Sequence, residues 1–358
     1  MDSSNRLEKA LERFEKDVNI SFAGPTPNSL LARQDLEAAL VVLSDRLTPY
    51  RDKATRVKGE GVAHLWNQRT SLGTTANGPQ GLIQLWYADG NIPQENDPNY
   101  VQKTAAYNYL GTTVVITGPM IASGRSYMDI EAEMAEAGLR RVIQAEEWAD
   151  FHGNNTVNTL MPNGFDNLIV TNVLSLAGAQ LSSNGVNIPA FDKLILYIRN
   201  QGGTMVSAIY CSFGQQNIIN NITSAASRYF LKADGQGTQD TTAGINATAY
   251  MSTLGPIPVV GNFFVNPALP YPYNFSSTTA GSSGAQGNPT ASDLYFIRHD
   301  DQGAQLVDLM PLGRTELAKI ADSVRFYMNE YTVPIIKGEP WVGIITNAGE
   351  PGDSGGPI

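Results

Sequence analysis

The sequence predicts an α+β fold without internal repeats, on the strength of three observations. The segment from Ser126 to His152 has the 3.6-residue apolar periodicity of one long helix. Residues 324–329 alternate apolar and polar side chains, as a half-buried strand does. Between these segments, short helix-type and strand-type patterns are mixed rather than repeated in a fixed order.

The N-terminal region predicts two short amphipathic helices separated by the stretch "SFAGPTPNS". Leu7, Leu11 and Phe14 recur at helical spacing in the first helix, and leucines after Asp35 do so in the second. Helices this short are marginal alone and cannot bury their own apolar stripe. We therefore expect this region to lie on another surface.

Residues 59–120 predict a long polar hairpin that projects from a domain. Turn-forming residues occur throughout, and the aromatic residues concentrate at Trp66 and at Trp86–Tyr87. The region closes with a strand-type run at Thr112–Thr117. It has too few apolar residues for a core of its own, so we expect the aromatic side chains to be anchors between subunits.

The long helix has signals at both ends. Ser126, with Asp129 three residues later, matches a capping box, and Gly153 is a natural C-terminal stop. Glu136 and Arg140 are spaced for an i,i+4 ion pair. At 1.5 Å per residue the helix would be about 40 Å long. Its predicted apolar face consists of Ile130, Met134, Val142, Ala145 and Ala149.

The rest of the chain predicts shorter elements. Helices are expected at 191–200, 215–231 and 315–322. Strands are expected at 205–211, 254–265, 294–298 and 305–310. The low-complexity segment 274–292 predicts a flexible loop. The chain then closes with a predicted hairpin, in which the strand starting at Val324 turns at Lys337–Pro340 and returns over Trp341–Thr346.

Composition excludes several function classes. Charged residues make up only 16%, against roughly 25% in typical soluble proteins, which favours a surface covered by other chains. The net charge is −10, and no dense Lys/Arg run forms a footprint for DNA or an anionic membrane. Cys211 is the single cysteine, so no intrachain disulfide is possible. The charged N-terminus lacks the apolar core of a signal peptide, and no stretch approaches ~18 apolar residues. The sequence thus predicts synthesis in the cytoplasm and no membrane partner.

The stretch "GDSGGP" around Ser354 resembles the nucleophile loop of trypsin-like serine proteases. A serine hydrolase would also need a histidine base and a carboxylate that orients it. The three histidines, His64, His152 and His299, lie in contexts that do not fit this role, and only four residues follow Ser354. The motif is therefore interpreted as a Gly/Pro-rich tail, and we expect no catalytic residue.

Carboxylates are the other candidate for chemistry. The long helix carries several, which we interpret as a solvated or subunit-facing polar face rather than a metal site, since no Glu-x-x-His pair accompanies them. These residues are Glu131, Glu133, Glu136, Glu146 and Glu147. The acidic stretch 89–99 lacks the spacing of a calcium loop. We expect no metal and no cofactor.

The order of these elements resembles that of the major capsid proteins of tailed bacteriophages, the Johnson fold. "YMDIEAEMAEAGLRRVIQAEEWADFHGN" resembles the spine helix of that family, and "PNGFDNLI" the connector after it. "LGPIPVVGNFFV" is similar to a strand of the axial domain. "LMPLGRTELAKIADSVRFYMNEYTVPIIKGEPWVGIITN" resembles the closing segment. The resemblance extends from about residue 50 to 347.

The resemblance implies a division of the chain. The expected parts are an N-terminal arm at 1–58, an extended loop at 59–120, a peripheral domain at 121–190 and 304–348, an axial domain at 191–303 and a C-terminal tail at 349–358. Leu7, Leu11, Phe14, Trp66, Trp86 and Tyr87 are the expected assembly contacts.

The resemblance also implies a function. The chain would assemble with itself into hexamers and pentamers of an icosahedral or prolate virion shell. That shell would enclose double-stranded DNA without sequence-specific binding. Portal, scaffolding and decoration proteins would be further partners. Some members cross-link through a lysine in the extended loop, but here no lysine lies between Lys58 and Lys103, so cross-linking is not expected. Two alternatives are an encapsulin-like compartment of the same fold and a serine hydrolase that uses Ser354.

Overall fold

The computed structural model describes residues 46–71, 86–92, 97–124, 129–176, 188–203, 205–227, 249–265, 291–319 and 321–349, and the structural statements below refer to these residues. Both predicted N-terminal helices, with Leu7, Leu11 and Phe14, lie outside the described residues. So do most of the predicted 274–292 loop and the tail with Ser354.

Helices and strands alternate irregularly along the described chain. The helices are α1 (Pro49–Lys53), α2 (Gly118–Gly124), α3 (Ile130–His152), α4 (Phe165–Leu168), α5 (Ile188–Asn200) and α6 (Phe213–Ser227). The first strands are β1 (Thr55–Lys58), β2 (Ala63–Ser71), β3 (Asn99–Ala106), β4 (Asn108–Thr117), β5 (Val173–Ser175) and β6 (Ala208–Cys211). The later strands are β7 (Ala249–Ser252), β8 (Gly255–Gly261), β9 (Ala291–Ile297), β10 (Ala304–Glu316), β11 (Ser323–Ile336) and β12 (Gly343–Gly349).

The strands form three sheets. A four-stranded sheet has the order β1-β10-β11-β4, in which β1 runs parallel to β10 and the other pairs are antiparallel. A six-stranded mixed sheet has the order β5-β12-β9-β6-β8-β7. Strands β2 and β3 form a separate antiparallel hairpin. The predicted α+β class is confirmed, and so are the hairpin in the 59–120 region and the strand that ends at Thr117.

Helix α3 begins later than its sequence pattern predicts. The Asp129 carboxylate accepts hydrogen bonds from the first free N–H groups of the helix, at 3.1 and 3.2 Å. Asp129 is therefore the N-cap residue itself, and the predicted start at Ser126 is wrong. The predicted stop is confirmed, because the Gly153 N–H donates to the Ala149 carbonyl at 2.8 Å. With 23 residues the helix is about 35 Å long.

The predicted apolar face of α3 packs on the four-stranded sheet. Val142 is buried in a cluster with Val114 and Phe326, which lie on β4 and β11. The helix approaches the sheet closely at Gly138, where an added Cβ would lie 3.0 Å from Val114 Cγ2. The exposed side of the helix carries the predicted ion pair, in which Arg140 Nη2 lies 2.7 Å from Glu136 Oε1.

Most of the shorter predicted elements are present, but the helix expected at 315–322 is wrong. Thr315 and Glu316 form the end of β10, where they pair with Tyr327 and Phe326 of β11. The Leu317 N–H continues this ladder by donating to the backbone of β11. Pairing with a long neighbouring strand therefore outweighs the local helix propensity.

The predicted closing hairpin is also wrong, because β11 and β12 belong to different sheets. A 3₁₀ turn at Glu339–Trp341 separates them. The Glu339 carboxylate accepts the Val170 N–H at 2.8 Å and also binds the Thr171 backbone. Asn172 Nδ2 donates to the carbonyls on either side of Trp341 at 2.7 and 2.9 Å. These bonds tie the turn to the 170–172 segment and direct β12 into the six-stranded sheet beside β5.

Gly153→Ala tests the closure at the end of α3. A Cβ at Gly153 would collide with the carbonyl oxygens of Ala149 and Pro162, and backbone atoms cannot move aside as a flexible side chain can. We expect the free energy of unfolding to fall by about 1–3 kcal/mol. Gly313→Ala is the matched control, since its Cβ would meet only the Pro311 oxygen at 3.7 Å. Equal chemical-denaturation midpoints for the two variants would contradict the prediction.

Candidate functional site

The β2–β3 hairpin is widely exposed, and seven of the eight residues of β3 are exposed. Its strands pair from Ala63 with Ala106 to Ser71 with Asn99. The side chains of Leu65 and Tyr100 are 56% and 66% exposed. Both are largely apolar, so burial would be more favourable for them than contact with water. An isolated two-stranded hairpin is marginally stable at best. The exposed side chains therefore make this hairpin a candidate contact surface.

The predicted assembly contacts fall into two environments. Trp66 is half-buried and packs on a cluster of its own chain that includes Val307 and Ile335. Trp86 and Tyr87 are 87% and 60% exposed. The structure thus separates an intrachain anchor at the hairpin root from two unburied aromatic side chains.

Further apolar side chains are exposed on other elements, and the sequence analysis did not identify them. No periodic sequence pattern marks these residues, because each is a single apolar residue in a loop or at a strand edge. Those with the largest exposed fractions are Leu47, Val62, Ile92, Tyr109, Val157, Leu160, Val170 and Met251. Together they extend the candidate contact surface well beyond the hairpin.

The segment that precedes the hairpin is held by a buried charge network, whose centre is Arg56 on β1. Its Nη2 lies 2.6 Å from Glu146 Oε1 on α3. Its Nη1 lies 2.8 Å from Asp308 Oδ2 on β10 and 2.7 Å from Glu330 Oε1 on β11. One guanidinium group therefore joins the long helix to both central strands of the four-stranded sheet.

Helix α1 joins the same network. Arg51 Nε binds the Glu146 carboxylate, and Arg51 Nη2 lies 3.3 Å from Glu330 Oε1. The Glu147 carboxylate accepts the N–H groups of Tyr50 and Arg51 at 2.9 and 2.7 Å, so it caps this short helix from outside. Glu147 also accepts from Asn262 Nδ2 at 2.6 Å.

The predicted solvated face of α3 is therefore wrong for Glu146 and Glu147, which are buried. The network was missed because its cations lie about ninety residues away in the sequence. A signal was present: Glu146 follows Val142 by one helical turn and so lies within the apolar stripe. A charge at such a position requires a buried partner.

Burial raises the pKa of several acids in this network. The pKa of Glu147 rises to about 7, although its hydrogen bonds favour the ionised form. Burial, followed by the charges of Glu146 and Glu147, raises the pKa of Asp150 well above its usual value. Burial and then the Glu146 charge also raise the pKa of Glu330.

An aromatic cluster lies beside the charges and anchors the same segment. The Tyr50 ring makes edge contacts with Phe151, Phe165 and Tyr210, with ring centroids 5.5, 5.1 and 5.6 Å apart. Tyr50 is completely buried. Edge-to-face pairs of this kind add stability beyond their buried area.

His152 is engaged through both ring nitrogens. Nδ1 lies 2.6 Å from Asp166 Oδ2, and Nε2 lies 2.9 Å from the Phe264 carbonyl oxygen. Burial lowers the pKa of His152, but the hydrogen bond and charge of Asp166 outweigh it and the pKa is raised. The Phe264 carbonyl oxygen can only accept, so Nε2 donates to it and is not free to take a proton from a nucleophile.

The other histidines do not form a serine triad among the described residues. His299 Nε2 lies 2.7 Å from Tyr210 Oη, and burial lowers the pKa of His299 to about 4. His64 lies on β2, stacked on Trp66 with ring centroids 5.9 Å apart. Within the described ranges, no cluster of three or more His, Cys, Asp or Glu side chains could hold a metal ion. None of the described helices is long and apolar enough to cross a membrane.

Arg56→Met tests the charge network. The substitution leaves Glu146 and Glu330 buried beside one remaining guanidinium group. We expect a loss of about 2–4 kcal/mol of unfolding free energy, somewhat less than the about 3–5 kcal/mol for fully buried pairs, because the Arg56 side chain is 27% exposed. Arg140→Met, which breaks the exposed pair on α3, should cost no more than about 0.5 kcal/mol. If both variants lost a comparable amount of unfolding free energy in urea denaturation, the network would not have the stabilising role described above.

The fold is shared with solved shell structures. No protein-family model and no curated protein sequence matches the chain. The capsid of a native GTA particle has a TM-score of 0.59 and 15% identity, and the match covers 92% of this chain and 99% of that one. The capsid of the cyanophage P-SCSP1u has a TM-score of 0.57 and 11% identity, over 91% and 96% of the two chains.

A protein compartment has the same architecture. The holo-SrpI encapsulin complex of Synechococcus elongatus has a TM-score of 0.56 and 8% identity, over 89% of this chain and 93% of that one. In all three cases nearly the full length of both chains is aligned, so the likeness extends beyond one shared domain. The chain therefore has the Johnson fold of tailed-phage capsid structures, as the sequence analysis predicted.

Proposed function

We propose that this chain is the major capsid protein of a tailed bacteriophage. It assembles into hexamers and pentamers of an icosahedral or prolate shell that encloses double-stranded DNA in the virion. The observation that carries this proposal is the capsid fold over nearly the full chain length, with a hairpin that leaves Leu65, Tyr100 and other apolar side chains uncovered.

Surface chemistry supports assembly. Aromatic residues are enriched at the cores of protein interfaces, and charged residues are depleted there. The chain has only 16% charged residues, and Trp86 and Tyr87 are exposed. Symmetry repeats each modest contact around a closed shell, so side chains that are uncovered on one subunit become buried between many.

The charge of the chain supports enclosure of DNA without tight binding to it. A net charge of −10 gives the chain as a whole no electrostatic attraction to the duplex, whose phosphates are also negative. The packaged DNA would keep its own counterions, and the inner shell surface would not immobilise it. Sequence-specific recognition is not part of the proposed function.

The division of the chain follows from the same proposal. Residues 1–58 form an arm, 59–120 an extended loop, 121–190 with 304–348 a peripheral domain, 191–303 an axial domain, and 349–358 a tail. Portal, scaffolding and decoration proteins are the further partners. Synthesis takes place in the host cytoplasm. Leu7, Leu11 and Phe14 of the arm would contact neighbouring subunits.

An encapsulin-like compartment is the second candidate, favoured by the structural likeness to the Synechococcus complex. Both candidates form closed shells, and they differ in content. A phage shell holds nucleic acid, and its gene lies near portal and terminase genes. An encapsulin shell holds a protein cargo, and its gene lies near that of an oxidoreductase or peroxidase.

Shell formation is tested on the purified full chain. We expect particles of megadalton size in light scattering and closed shells in negative-stain images. Trp86→Ser with Tyr87→Ser should reduce the yield of shells and leave subunit unfolding unchanged, because both side chains are exposed. Trp66→Ser is the contrasting variant and should also destabilise the subunit, since Trp66 packs on the cluster around Val307. A stable monomer under native conditions would oppose the proposal.

A capsid role assigns no hydrolysis to Ser354. Both ring nitrogens of His152 are engaged, which disfavours this residue as a base. We expect a fluorophosphonate probe to label the wild-type chain no more than the Ser354→Ala variant, measured by in-gel fluorescence. Strong labelling that the substitution removes would favour the hydrolase.

A further inference from the structure

Asp150 is a buried acid that the charge network does not pair. It lies in the last turn of α3 and is 1% exposed. Its Oδ2 has no hydrogen-bond partner among the described residues. An ionised carboxylate in this position would be costly, because nothing replaces the water that it loses on burial.

Helix α1 and strand β1 contact α3, β10 and β11 at the charge network, and we call this contact region the joint. The groups around Asp150 come from all of these elements and are mostly acidic. Those that act on it or share its network are Glu146 and Glu147 on α3, Tyr50 and Arg51 on α1, Arg56 on β1, Asp308 on β10 and Glu330 on β11. With Asp150, the joint contains five carboxyl groups and two guanidinium groups, and only Glu146, Asp308 and Glu330 contact a guanidinium group.

Both guanidinium groups are already engaged by other acids. Arg56 binds Glu146, Asp308 and Glu330, while Arg51 binds Glu146 and Glu330. A metal ion is not an alternative source of charge, since the acids of the described joint do not form a group that could hold one. The remaining way to neutralise Asp150 is a proton.

We propose that Asp150 is a protonated carboxylic acid in the folded subunit and that its ionisation as the pH rises loosens the packing of residues 49–58 on α3 and the four-stranded sheet. The joint is thus a pH-sensitive latch on the segment that leads into the hairpin. All of its groups belong to one chain, so the latch does not depend on shell assembly.

The direction of the pH effect follows from the raised pKa of Asp150, caused first by burial and then by the charges of Glu146 and Glu147. The folded state binds this proton more tightly than the unfolded state, where the pKa is about 3.9. The stabilisation is complete below that value and is lost as the pH rises through the folded-state pKa. Glu147, with a pKa of about 7, acts in the same direction, so a variant is needed to isolate Asp150.

Asp150→Asn in the full chain supplies that variant, because asparagine has nearly the same shape and no charge. Hydrogen exchange of peptides within 46–58 is compared at about pH 6 and about pH 9, corrected for intrinsic exchange rates. We expect wild-type protection to fall about tenfold or more at the higher pH, which corresponds to at least one pKa unit of linkage. In Asp150→Asn this fall should be clearly smaller, and protection at the higher pH should exceed that of the wild type.

Asp308→Asn is the matched control, since Asp308 holds Arg56 at 2.8 Å and accepts from Thr332 Oγ1 at 2.9 Å. It should reduce protection at both pH values. If Asp150→Asn behaves like Asp308→Asn, Asp150 acts as an ionised partner and the proposal fails. If Asp150→Asn does not fold, the test moves to Glu147→Gln, which removes the acid whose pKa is about 7. An infrared carboxylic-acid band that this variant shows at the lower pH and loses in step with exchange protection supports the latch, and its absence overturns it.

Discussion

The buried network of Arg51 and Arg56 is the interaction on which the rest of the described structure depends. These two cations, on a five-residue helix and a four-residue edge strand, contact carboxylates of α3, β10 and β11. Neither α1 nor β1 is long enough to be stable by itself. The hairpin starts five residues after β1, so its position relative to the frame depends on this joint.

Two kinds of interaction stabilise the joint, and only one of them depends on pH. The aromatic contacts of Tyr50 stabilise it through apolar burial, which does not change with protonation. The charge network holds more acid than base, so its strength varies with pH. The segment 49–58 therefore combines aromatic contacts that are independent of pH with ion pairs that depend on it. In the proposed shell, such a connection would let one subunit adapt to more than one symmetry environment.

The described structure leaves some large apolar side chains exposed and buries some charged ones. Trp86 and Tyr87 stay uncovered, while Glu146 and Glu147 lie inside. Exposed aromatic side chains of this kind fit the proposed function, in which part of the subunit surface would be covered by neighbouring subunits. The histidines fit this structural role as well: His152 bridges Asp166 and the Phe264 carbonyl and so ties the end of α3 to the six-stranded sheet region.

The sequence by itself determined the elements whose signals are local: the α+β class, the long helix with its stop at Gly153, and the β2–β3 hairpin, together with the resemblance that identified the fold. Only the tertiary structure decided which strands pair and where charge is buried. Residues 315–316 became strand because β11 offered a ladder, and β12 left the predicted hairpin because Glu339 and Asn172 redirected it. The partners of Glu146 lie about ninety residues upstream, and Glu330, which binds the same two arginines, lies nearly two hundred residues downstream. Contacts at such separation leave no periodic trace in the chain, because they depend on how the elements meet in space.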